Sequence, residues 1–111
     1  MGNVEVKIQM RIIKRSTLEG FWSNKDYGDS KAPLEVWYSE AKRAKWNNPQ
    51  DVKDKYGTAS IIANNRVVFN IKGNDYRLIV EIQYSAQIVW IKFLGTHKQY
   101  DDIEASTVDI Y

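Results

Sequence analysis

The sequence predicts a single α+β domain in which helices, after one leading strand, precede an antiparallel sheet. Two patterns carry that expectation. Apolar residues recur at three- and four-residue spacing through the first half, and strand-like runs joined by tight turns fill residues 66–101. Size agrees, because a chain of 111 residues makes one domain and buries roughly two thirds of its unfolded surface. Residues 1–111 are read as one unit, with residues 1–9 as an extension ahead of the domain proper.

The elements follow in order. Residues 4–13 alternate, with Val4, Val6, Ile8, Met10 and Ile12 on one side, which predicts a strand. Ser16 and Glu19 have the spacing of a capping box, so a helix is expected to start there, with Leu18, Phe21 and Trp22 on one face. Residues 24–29 break that pattern. A second helix is expected near Ser30, with Pro33 in its first turn and a stripe of Leu34, Trp37, Tyr38, Ala41 and Ala44. Pro49 and Gly57 frame a short third helix through Val52, and residues 59–63 suggest a brief strand before the turn-prone pair Asn64 and Asn65.

Composition narrows the function classes. Sixteen basic against fourteen acidic residues leave a net charge of +2, so an affinity for nucleic acid must rest on local clustering. The absence of cysteine excludes disulfides, cysteine zinc sites and thiol nucleophiles. No apolar run approaches the ~18–20 residues that cross a bilayer. Glu5, Lys7 and Gln9 interrupt any secretory signal, so a cytoplasmic protein without membrane contact is expected.

The three C-terminal runs set a trial register. Taking Gly73-Asn74 and Ser85-Ala86 as two-residue turns places Phe69 opposite Leu78 and Leu78 opposite Phe93. Val67 then faces Val80, which faces Ile91, and the whole row is apolar. On the other face Asn70 lies across from Arg77, with Lys72 near the turn and Lys92 beside Val68 and Ile79. Trp90 stands opposite Glu81, itself opposite Arg66 in a cross-strand ion pair. Gly95-Thr96 ends the last strand, and His97, the single histidine, follows it. Lys72, Arg77, Asn70 and His97 are thereby expected at one corner, as a phosphate-binding and proton-transfer site. Solvent-facing strands ordinarily carry Lys and Arg, and a histidine after a strand is ordinarily a surface residue. Convergence of the four is what favours a site.

The strings VFNIKGNDYRL and GTHKQYD, at this separation, closely resemble the HigB family of toxins from bacterial toxin–antitoxin pairs, within the RelE-like superfamily. The likeness extends to MRIIKRSTLEGFW, PLEVWYSEAKRAKW and NPQDVKDKYGTAS, and so covers residues 10–107. It implies a RelE-like fold, with N-terminal helices on one face of an antiparallel sheet and the other face open as a concave active site. It also implies an endoribonuclease that cuts mRNA on the ribosome, and a HigA-type helix-turn-helix antitoxin as partner. Arg77 occupies the position where such toxins contact the reacting phosphate, Lys72 falls among the neighbouring basic positions, and His97 and Tyr100 stand where the family places residues after the last strand. Asn70, Lys92 and Lys98 are expected to contact RNA.

No metal and no cofactor are expected, since one histidine with Asp101 and Asp102 nearby is a poor donor set. Cleavage without a metal uses the substrate's 2′-hydroxyl as nucleophile. Arg77 and Lys72 would then stabilise the phosphorane, His97 would protonate the leaving 5′-oxygen, and a lysine with a depressed pKa would be one source of the general base. The alternatives are a non-catalytic RNA-binding module of the same fold and a toxin remnant kept for antitoxin binding.

Overall fold

Residues 9–110 are described by the computed structural model. The described residues open on a strand. Strand β1 (Arg11–Ile13) runs parallel to β5 (Ile88–Thr96), with Ile12 beside Val89. The rest of the sheet is antiparallel, in the order β1-β5-β4-β3-β2, with β2 (Ser60–Ile62), β3 (Arg66–Ile71) and β4 (Tyr76–Gln83). The fold is α+β as predicted, with a mixed five-stranded sheet. Residues 4–8 of the expected first strand lie outside the described residues.

Helix α1 (Ser16–Trp22) begins differently from the expectation. The carbonyls of Lys14 and Arg15 already accept hydrogen bonds from Thr17 and Leu18, so Ser16 sits inside the first turn and caps nothing. Glu19 instead pairs with Arg15 at 2.7 Å, four residues earlier. The break at 24–29 is ordered as a 3₁₀ helix (Lys25–Ser30), capped by Asn24 Oδ1 accepting from Asp26 N–H. Helix α2 (Lys31–Arg43) buries Leu34, Trp37 and Ala41 from the predicted stripe. Helix α3 (Pro49–Lys55) starts at Pro49 as expected, behind the N-cap Asn48.

The main core joins these helices to one face of the sheet. Phe69 is its aromatic centre, touching Trp37 at 5.5 Å, Tyr56 at 5.1 Å and Trp46 at 6.2 Å between ring centroids. Such pairs add about 0.5–1.5 kcal/mol each beyond the area they bury. The β3–β4 register is the trial one throughout, with Val67 opposite Val80, Phe69 opposite Leu78, Asn70 opposite Arg77 and Arg66 opposite Glu81.

One correction concerns β5. Val80 pairs with Ile91 and Glu81 with Trp90, but Ile79 pairs with Phe93 and Leu78 with Leu94. Lys92 is therefore the extra residue of a β-bulge, and every later side chain changes face. Leu94 takes the core position predicted for Phe93, while Phe93 joins Val68 and Ile79 on the opposite face.

That opposite face is not open. Tyr100, Ile103, Ala105 and Val108 pack against Val68, Ile79 and Phe93. The C-terminal segment is fastened by Arg66, whose Nη1 donates to Ala105 O at 3.1 Å and Val108 O at 2.5 Å. Asn64 adds a bond to Ser106 O at 2.8 Å, and Lys92 pairs with Asp109 at 3.1 Å. The Arg66–Glu81 contact exists at 3.6 Å, yet Arg66 is only 5% exposed and chiefly holds this segment. Replacement by Arg66→Ala is expected to cost about 2–4 kcal/mol, because two carbonyls lose their donor and a buried pair is broken. Urea unfolding of the variant beside the parent measures it.

Candidate active site

Arg77 stands in β4, next to its turn, on the face that carries Asn70 and Val68. Its residue is only 8% exposed. Nη1 donates to Asn74 O at 3.1 Å and to Tyr76 O at 3.2 Å, and Nη2 donates to Asn74 Oδ1 at 2.5 Å. The guanidinium carbon lies 5.7 Å from the centre of the Tyr100 ring, within cation–π range. Among the described residues no carboxylate forms an ion pair with it.

Tyr100 reaches Arg77 because a short helix α4 (His97–Asp101) follows β5 directly. Its start is fixed by a capping box in which Thr96 Oγ1 accepts from Gln99 N–H and Gln99 Oε1 accepts from Thr96 N–H. Gly95 makes room for it. A Cβ there would lie 2.6 Å from Phe93 Cζ and 2.8 Å from Gln99 Oε1. His97 N–H donates to Asp75 O at 3.0 Å, so α4 is also stitched to the turn before β4.

The expected four-residue corner is divided by this arrangement. The His97 imidazole is half exposed, with Nε2 3.9 Å from Asp101, and among the described residues no hydrogen bond links it to Arg77. It does share a helical face with Tyr100, three residues on. With Lys98 it borders a shallow groove that Asn74, Asp75 and Thr96 also line. Lys72, in a left-handed conformation (φ 53°), turns toward the helical layer, where its Nζ meets Asp29 at 2.7 Å, and it also meets Asp75 of its own turn at 3.2 Å. Those contacts, the Asp29 hydrogen bond foremost, raise its pKa. A depressed pKa, which a lysine general base requires, is the opposite of this environment. Asn70 is half-buried opposite Arg77, and Lys92 is committed to Asp109.

Asp29 is the hub of that support. It accepts from Lys72 and from the buried Tyr76 hydroxyl, and both contacts, Lys72 first, hold its carboxyl below the ordinary 3.8. Desolvation and then Asp29 push Tyr76 up to about 12, so it remains a donor.

Sequence reasoning missed Asn74, Arg66 as a clamp, and the Thr96–Gln99 capping box. Only the last was spelled in the sequence, as a Thr followed three residues later by Gln. A second groove, between α2 and α3, mixes Glu40, Asp51 and Asp54 with Arg43, Lys45 and Lys55. Its charges balance, so it offers no concentrated cation. Among the described residues no group of three or more His, Asp or Glu could hold a metal ion, and no helix is long and apolar enough to cross a membrane.

The profile of the HigB toxin family, described as the RelE-like toxic component of a toxin-antitoxin system, matches residues 30–103. The chain belongs to the HigB toxin family. No curated protein matches the chain. The matched region runs from α2 through α4, so it takes in Arg77, Asn74 and Tyr100, while the outer part of the C-terminal segment lies beyond it. Membership implies an antitoxin partner for this HigB-like toxin.

Two outcomes follow from the geometry. Gly95→Ala is expected to lower stability by about 1–3 kcal/mol, since Phe93 or the Gln99 cap must move, as denaturant titration would register. Asp29, whose folded pKa is lowered, stabilises the fold above its unfolded value and gives that up as pH falls through the folded one. Asp29→Asn should therefore flatten the loss of melting temperature below pH 3.8, the two proteins converging at the acid end.

Proposed function

We propose that this toxin is a metal-independent endoribonuclease that cuts translated mRNA on the ribosome, in the cytoplasm, and is neutralised by a HigA-type helix-turn-helix antitoxin. One observation carries the reading: Arg77 is a buried cation that is held by three carbonyl-type acceptors and paired with no carboxylate among the described residues. A buried charge is costly without a counter-ion, so such an arginine is poised for an anion from outside.

In this reading the 2′-hydroxyl gives up its proton to water and attacks the adjacent phosphorus, and the 5′-oxygen leaves, giving a 2′,3′-cyclic phosphate and a 5′-hydroxyl. Arg77 binds two non-bridging oxygens, where charge grows in the transition state. Tyr100 stacks against a base or orients the ribose beside the guanidinium. His97, on the same helical face, donates the proton to the departing 5′-oxygen. Lys98, exposed next to it, contacts the RNA backbone with Asn70. Lys72 and Lys92 act indirectly, Lys72 by holding the turn before β4 and Lys92 by tethering the C-terminal segment. The net charge of +2 suits a nuclease whose substrate is presented by the ribosome, since binding to free RNA calls for a larger basic field.

Cleavage of a defined mRNA on translating ribosomes tests the assignment. Arg77→Ala is expected to lower the rate at least a hundredfold, about 3 kcal/mol of transition-state contact, and His97→Ala by about ten- to a hundredfold. Wild-type turnover in Arg77→Ala would sink the phosphate role. Ribosome-bound RNA that is held but never cut by the parent protein would establish the non-catalytic alternative instead.

A further inference from the structure

We propose that Asn74 is the positioning residue of this site, a neutral amide that fixes the Arg77 guanidinium without cancelling its charge. The inference rests on Arg77 being the phosphate contact and adds how that contact is kept available. Asn74 supplies two of the three acceptors, its own carbonyl and its Oδ1. With Tyr76 O they take two bonds from Nη1 and one from Nη2. A guanidinium carries five N–H donors, so these three bonds leave donor capacity for two oxygens of a phosphate.

The chemical choice is the informative part. The other buried arginine, Arg66, pairs with a carboxylate, Glu81, as do Arg15 with Glu19, Lys72 with Asp29 and Lys92 with Asp109. Asp75 is the next residue after Asn74, yet its carboxylate is turned to Lys72. An aspartate at 74 would be the stronger partner for a buried arginine, and the amide is the weaker one. The amide keeps the positive charge free for a ligand while still setting its direction.

Asn74 is itself held firmly. Lys72 and Gly73 before it are both left-handed, with φ of 53° and 62°. Lys72 is tied to Asp29 and Asp75, and Asp75 O accepts from His97 N–H. The turn therefore places Asn74 from both sides, and Asn74 places Arg77.

The test compares Asn74→Asp with Asn74→Ala in ribosome-coupled cleavage and in thermal unfolding with and without inorganic phosphate. Asn74→Asp is expected to melt no lower than the parent near neutral pH, to lose the stabilisation by phosphate, and to cleave about a hundredfold more slowly. Asn74→Ala is expected to melt lower but to lose only about tenfold in rate, the guanidinium being loosened but still charged. Stability and activity thus rank the two variants in opposite order. A residue with a purely structural role would rank them the same way in both measurements, and that result overturns the proposal. So does Asn74→Asp cutting within about threefold of the parent while Arg77→Ala is dead, which would leave the nuclease reading intact. Full activity in Arg77→Ala overturns both.

Discussion

One extra residue in β5 governs the architecture of the second sheet face. Because Lys92 is bulged, Phe93 turns away from the helices and Leu94 takes its place in the main core. Phe93 then gives the other face an apolar patch with Val68 and Ile79, and this patch receives Tyr100, Ile103, Ala105 and Val108. Its ring also lies over Gly95, which is why that position has no room for a Cβ. In a regular strand Phe93 would lie opposite Leu78 and the patch would lack its largest member. The position of Tyr100 beside Arg77 depends on that flip.

The same face carries two buried arginines with opposite solutions to the cost of a buried charge. Arg66 has its charge balanced from within the chain by Glu81, gives Nη1 to two carbonyls of the C-terminal segment, and serves stability. Among the described residues, Arg77 meets only amide and backbone oxygens and one aromatic face. Folding alone favours the first arrangement. An uncompensated charge that is rigidly aimed is the pattern expected where stability is traded for binding or catalysis. The family places the chain among toxins, and Arg77 is the chemical focus we propose for it.

Around this focus the supporting contacts form a connected scaffold. Asp29 joins the 3₁₀ helix to Lys72 and Tyr76, Asp75 joins the turn to α4, and Gln99 reaches Tyr27 at 3.3 Å. Helical layer, turn and terminal helix are thereby held in mutual register, with Arg77 between turn and helix.

Local patterns in the sequence were sufficient for the α+β class, the helical stripe of Leu34, Trp37 and Ala41, and the full pairing of β3 with β4. Side-chain period and turn chemistry act over a few residues, and each of those features is set at that range. Arg77 and Tyr100 could be singled out from the motifs they occupy. Tertiary structure alone decided the rest. Lys72 and Arg77 are five residues apart, but one meets Asp29 in the helical layer and the other turns to the opposite face. A bulge leaves the hydrophobic alternation readable on either side of it, so its one-residue shift showed only when both strands were paired. The clamp on the C-terminal segment joins Arg66 to backbone carbonyls some forty positions away, and a carbonyl carries no sequence signal.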